Sequence, residues 1–177
     1  MDASVAAPAQ QPSRPARPLA ITILGGYSLV LGLITFIPQL YYVLFALNQQ
    51  AFPIGPNASN PLGLVWYWYI LNGQQSGYTS VDTGTLAGGV LDAFMMGPLY
   101  LITGVGLLGL RRWVVPTGII TAAMIFYAIL YFFLLGVLAP KATTTDLVTV
   151  VLSTIPYLLY PLVVIPTLLA RRSLFSR

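Results

Sequence analysis

The sequence predicts an all-α integral membrane protein, a four-helix bundle with a long aromatic loop between helices 1 and 2. Three observations carry this. Of 177 residues, 57% are apolar and 7% charged, against roughly 25% charged in a soluble domain, and the mean hydropathy is +0.82. Four apolar runs reach the roughly 20 residues that cross about 30 Å of hydrocarbon as a helix. The basic residues flank these runs and do not gather on one element, so they read as topology signals and not as a nucleic-acid footprint.

Residues 1–18, MDASVAAPAQQPSRPARP, are rich in Ala, Pro and Gln. They hold too little branched or aromatic surface to offset the entropy of ordering, and are expected to form a disordered tail. Arg14 and Arg17 lead into an apolar run too long for the core of a signal peptide, which therefore reads as a retained anchor. The expected spans are about 19–47, 86–110, 113–138 and 146–169, giving one transmembrane domain over 19–172 and a short tail at 173–177. The first span exceeds what a bilayer requires and should tilt or project beyond it.

If the spans alternate, Arg14, Arg17, Arg111, Arg112, Arg171, Arg172 and Arg177 fall on one side and only Lys141 lies opposite. That asymmetry places both termini and the 111–112 turn in the cytoplasm, with the 48–85 and 139–145 connections outside or in a lumen. The 48–85 connection is too long for a hairpin link. It carries PLGLVWYWYIL at 61–71, an apolar, aromatic run between Asn-Pro and Asn-Gly turn signals, expected to lie at the headgroup level or across the mouth of the bundle. Aromatic anchoring without ligand contact is the plain alternative.

With no His, no Cys and four acidic residues, the chain cannot build a thiolate or imidazole metal site, a Cys nucleophile, a disulfide or a Ser-His-Asp triad. No cofactor is expected. Asp92 is the one ionisable side chain predicted within the hydrocarbon away from helix ends, about six residues into the second span and so roughly 9 Å below its outer end. A carboxylate there costs about 2.5–3.5 kcal/mol even at the helix centre, so it should face the bundle interior, find a partner or take up a proton. Two readings stand: a polar anchor in a ligand cavity, or an inward Asp bonded to a neighbouring hydroxyl for packing. Gly88, Gly89, Met95 and Met96 share its face at helical spacing, and small and pliable residues suit an adaptable cavity. The glycines at 104, 106 and 109 read as helix packing. Pro156, Pro161 and Pro166 each remove a hydrogen bond from the fourth span and are expected to bend it. Tyr157 and Tyr160 on that span and Tyr127 and Tyr131 on the third offer aromatic walls with hydroxyl tips. A core or interfacial role for these tyrosines is the competing reading.

Several short motifs occur in order: Ile37-Pro38, Trp68-Tyr69, Asp92 with Pro98 six residues later, Trp113 ahead of Ile119-Ile120, and Pro156-Tyr157-Leu158-Leu159-Tyr160-Pro161. This pattern, over about residues 20 to 172, resembles the EXPERA proteins, the family of the sigma-2 receptor and the emopamil-binding sterol isomerases. The resemblance implies an intramembrane pocket for sterols or amphipathic amines, with Asp92 fixing the polar end of the ligand and Tyr157 lining the site. The chain departs from the pattern in two places. QLYYVLFAL at 39–47 lacks the second acid of the receptor-like members, and without His one carboxyl group would have to serve as both general acid and general base of an isomerase.

The leading expectation is a pocket for a sterol-like or other apolar or amphipathic molecule, with Asp92 as anchor, Met95, Met96, Tyr157, Tyr127 and Trp68 shaping it, and Gln39 offering a neutral hydrogen bond. The alternative is a structural or assembly subunit that packs on a membrane protein partner or forms a homodimer; an isomerase or transporter stands third. No nucleic-acid partner is expected. The location implied is the endoplasmic reticulum in a eukaryote and the inner membrane in a bacterium.

Overall fold

A computed structural model describes the backbone of residues 16–55, 57–66, 83–138 and 144–175. Of residues 83–85, 131–138 and 144–153 it describes the backbone alone. Trp68, Tyr69, Lys141 and most of the N-terminal tail lie outside the described residues. The described residues are mostly helical, with no strand among them.

Helix α1 spans Leu19–Leu47. It starts after Pro18, whose extended backbone (φ −60°, ψ 141°) suits the residue before a first helical turn. It ends at Asn48, where the side-chain Oδ1 accepts from the Ala51 amide at 3.1 Å and turns the chain. Residues 48–55 and 57–66 fold back over this end of α1. Tyr42 and Trp66 stack with ring centroids 4.7 Å apart, Trp66 Nε1 donates to the Pro38 carbonyl at 2.6 Å, and Tyr41 OH donates to the Pro53 carbonyl at 3.0 Å.

In place of one uninterrupted helix over 86–110, the second apolar run forms α2 (Thr83–Leu91), a π-helical turn (Asp92–Met96) and α3 (Gly97–Leu108). The Gly97 amide donates to the Asp92 carbonyl, the wider spacing that defines a π turn. Pro98 explains its position. It has no N–H to give Phe94, and its ring would crowd that carbonyl in a regular α turn; the wider turn just before it relieves both problems. Helix α3 stops because the chain adopts a Schellman cap: the Arg111 amide donates to the Gly106 carbonyl at 2.9 Å and the Leu110 amide to the Leu107 carbonyl at 3.2 Å. The left-handed position of this cap is filled by Leu110 (φ 51°) and not by Gly109.

Helix α4 (Val114–Leu138) and helix α5 (Thr144–Ala170) follow. The latter stays helical through Pro156, Pro161 and Pro166. A 3-10 turn at Arg172–Leu174 then tucks Phe175 into the core.

Helix α1 packs closely on α3, α3 on α4 and α4 on α5, while α5 approaches α1 only sparsely. The α1–α3 contact is antiparallel and depends on glycine. A Cβ on Gly97 would lie 2.9 Å from Phe36 Cα, and one on Gly104 would lie 3.0 Å from the Gly25 carbonyl oxygen, so the backbones meet where side chains are missing. Two stretches, Leu19–Leu47 and Leu86–Leu108, are long and apolar enough to cross a membrane. Val114–Leu130 and Thr154–Ala170 are shorter apolar helical stretches.

Candidate functional site

The interior between α1, α3 and α5 is lined by hydroxyl groups. Ser28, Thr35, Thr103 and Thr121 are all buried, and Tyr100 and Tyr160 are among the largest fully buried side chains. Helical spacing puts them there. Ser28 and Thr35 lie seven residues apart on the α1 face that also carries Gly25 and Gly32, and on α5 the inward stripe is Tyr157, Tyr160, Val164 and Leu168.

Near the arginine-bearing end these groups satisfy one another. Ser28 directs its only hydroxyl proton to the Leu24 carbonyl at 3.0 Å, so Tyr160, 2.9 Å away, is the donor to Ser28. Thr121 likewise gives its proton to the Thr117 carbonyl at 2.8 Å and accepts from Thr103 at 3.2 Å. Tyr27 OH donates to the Pro156 carbonyl, and these tyrosine contacts bridge α5 to α1 where their backbones stand apart.

Toward Asp92 the pattern changes. Tyr100 packs edge-on against Tyr160 with centroids 4.8 Å apart and lies 6.4 Å from the Tyr157 ring. Its buried hydroxyl has no hydrogen-bond partner. Thr35 Oγ1 stands beside Tyr157 yet completes no hydrogen bond of normal geometry. Leaving a buried polar group unpaired costs about 1–3 kcal/mol, so this layer is a place in the interior where a polar group from elsewhere would be stabilised.

Asp92 opens the π turn directly above this layer. It is half-buried, and Tyr100 and Tyr157 both lie within its electrostatic reach. The described cations, Arg17, Arg111, Arg112, Arg171 and Arg172, are all at the opposite end. Gln39 Oε1 lies over Gly89, 3.3 Å from where a Cβ would be, one helical turn before Asp92. Because the π turn is wider than an α turn, the residues beneath Asp92 are those four and five positions on, Met96 and Gly97. Met96 is accordingly buried in the core, Met95 is half-buried and Phe94 points outward.

Of the residues expected at a pocket, Asp92, Tyr157, Met96 and Gln39 thus lie around one region, with Met95 at its edge. Tyr127 does not. It is 74% exposed on the outer face of α4, where the helical phase that buries Ala122 and Ile125 turns it away. Trp68 lies outside the described residues. Tyr100 and Thr35 join this region without belonging to any of the motifs read from the sequence. The available signal was Tyr100 two turns beyond Asp92, and Thr35 one heptad after Ser28 beside the close-packing glycines.

Among the described residues no group of His, Cys, Asp or Glu could hold a metal ion. The residues present offer a carboxyl group, an amide and several hydroxyls around apolar walls, a set suited to hydrogen-bond recognition. Compared with known proteins, the chain matches no family model, no curated protein and no solved structure.

Proposed function

We propose that this protein spans a membrane with four helices, α1, the α2–α3 unit, α4 and α5, and holds the polar end of a sterol-like or other amphipathic molecule in the layer formed by Asp92, Tyr157, Tyr100 and Thr35. The observation that carries this reading is the sidedness of the interior hydroxyls, paired below Tyr160 and unpaired between Tyr160 and Asp92. Large apolar side chains stand outward along the helices, among them Ile23, Val30, Phe94, Val105 and Leu162. In water they would form an apolar surface far beyond what a monomer tolerates; in lipid they are solvated. The excess of arginine at one end supports cytoplasmic termini, in the endoplasmic reticulum of a eukaryote or the inner membrane of a bacterium. The ordered motifs that resemble the EXPERA pattern support the same class of ligand.

The test is mass spectrometry of small molecules retained by the detergent-purified protein, combined with labelling by a sterol photoprobe. Wild type should retain and label. Asp92→Asn and Tyr157→Ala should each lower labelling while the helical circular dichroism is unchanged. Equal labelling of all three proteins, with no retained molecule, would remove the proposal.

One observation favours a second reading, that of an assembly subunit. Tyr127 lies roughly 20 Å along α4 from Val114, near mid-span, with its hydroxyl facing outward. A polar tip there is better satisfied by a partner helix than by acyl chains. A stoichiometric protein partner recovered in mild detergent, lost on Tyr127→Phe, would support it.

A further inference from the structure

At the end of the molecule opposite Asp92, the side chains of Arg17 and Arg111 lie against consecutive residues of the chain, Leu108 and Gly109. Arg17 Nη1 donates to the Leu108 carbonyl at 2.5 Å and its Nε to Thr22 Oγ1 at 3.0 Å. The Arg111 side chain lies over Gly109, its Cγ and Nε 3.3 and 3.4 Å from where a Cβ would be. Arg17 therefore keeps the Nη2 edge of its fork for another acceptor. Arg112 follows in the same turn, and Arg171 and Arg172 end α5 at this same end. All five are exposed. Among the described residues no carboxylate stands near them, because Asp92 is at the far end and Asp146 is in the first turn of α5.

Like charges gathered at one end with no counter-charge among the described residues call for an anion. The surroundings say which kind. Each arginine site adjoins an outward apolar side chain on its own element: Leu19 beyond Arg17, Trp113 beyond Arg112 and Leu169 before Arg171. Trp113 is 41% exposed while its ring covers Gly106, the half-sunken position tryptophan takes at a membrane interface. A free anion would need only the guanidinium groups. An anion at this boundary that also carries acyl chains uses both features.

We propose that the end of the bundle formed by Arg17, Arg111 and Arg112, with Arg171 and Arg172, binds the phosphate headgroups of anionic phospholipids in the adjoining leaflet. This rests on the membrane-spanning reading above but is independent of the Asp92 layer. Bidentate guanidinium–phosphate pairing supplies the recognition, and the acyl chains lie along Leu19, Trp113 and Leu169.

The experiment uses the full chain in nanodiscs of phosphatidylcholine alone and of phosphatidylcholine with phosphatidylglycerol, and native mass spectrometry of the lipid that stays bound after release. Wild type should be enriched in phosphatidylglycerol over its share of the bilayer. Arg111→Gln should lower the enrichment about five-fold and Arg111→Gln with Arg112→Gln by a further similar factor, while Arg111→Lys retains more than Arg111→Gln. Millimolar inorganic phosphate should not displace the lipid. Retention of both lipids in proportion to their supply would overturn the proposal, as would complete displacement by inorganic phosphate. The wild-type arms decide the matter even where a variant does not fold. A chain that fails to enter phosphatidylcholine nanodiscs removes the membrane reading and this proposal together, whereas insertion without enrichment removes this proposal alone.

Discussion

Tyr160 donates its hydroxyl to Ser28 across the gap between the last and first helices, 2.9 Å apart, and Ser28 passes its own proton to the Leu24 carbonyl. The two ends of the chain are joined by this directional relay at a place where the backbones themselves make little contact.

The direction of the relay makes the two deletions unequal. Ser28→Ala removes the acceptor 2.9 Å from the buried Tyr160 hydroxyl, leaves only Thr103 beside it, and should cost about 1–3 kcal/mol. Tyr160→Phe leaves Ser28 bonded to Leu24 and should cost less, about 0.6 kcal/mol, the usual worth of an interhelical hydrogen bond in lipid. Equilibrium unfolding of both variants in a mixed-detergent titration checks the order, and a larger loss for Tyr160→Phe would reverse the assigned donor.

Tyr100→Phe removes a hydroxyl that bonds to nothing in the protein. Stability without ligand should be unchanged or should rise by about 1 kcal/mol, while affinity for a sterol photoprobe falls. A variant both less stable and equally well labelled would show that the hydroxyl is paired within the protein and is not a ligand contact.

Gly97 and Gly25 should tolerate a methyl group differently. At Gly97 the added Cβ meets Phe36 Cα at 2.9 Å, a backbone atom that moves only with its helix. Gly97→Ala should therefore cost about 1–3 kcal/mol through overpacking. At Gly25 the closest atoms are Leu108 Cδ2 and Cγ at 2.7 and 2.8 Å, in a rotatable side chain, and the nearest backbone atom, the Gly104 carbonyl oxygen, is farther at 3.3 Å, so Gly25→Ala should cost less. Thermal unfolding followed by circular dichroism in detergent ranks the two.

Leu110 occupies a left-handed position, φ 51°, that costs a non-glycine residue roughly 1–2 kcal/mol. Leu110→Gly relieves this but loses the packing of a half-buried side chain on the core, so the net change should stay within about 1 kcal/mol. Leu110→Val keeps an apolar group yet places a β-branched residue where it is least tolerated, and should be the more damaging of the two. Chemical unfolding of the pair is the check, and a milder effect of valine would place Leu110 outside the Schellman cap.

The helical character of the chain was legible because it is a local matter. Long apolar runs, Pro18 before the first helix and the turn-forming Asn48 after it act over a few residues, and so does the segregation of arginine to alternate connections. The π turn was half-legible. Gly97-Pro98 marks a disturbance, but a proline is accommodated as readily by a kink as by a wider turn; in the structure the wider turn sets Gly97 against Phe36 of another helix. Tyr127 shows the same limit from the other side. Its composition and depth resembled those of Tyr157, and only the phase of α4 against its neighbours turned it outward.

The sequence by itself determined that this chain forms apolar helices and where its arginines stand relative to the apolar runs. Only the tertiary structure decided which hydroxyls find partners, because a hydrogen bond between Ser28 and Tyr160 joins residues 132 positions apart and depends on the rotation of two helices about their own axes. Apolar side chains over most of the circumference of each helix leave that rotation only faintly marked in the sequence, on α1 by the small and polar residues Gly25, Ser28, Gly32 and Thr35. The close approach of Gly25 to Gly104 and of Gly97 to Phe36 sets it, and with it the unpaired layer beneath Asp92.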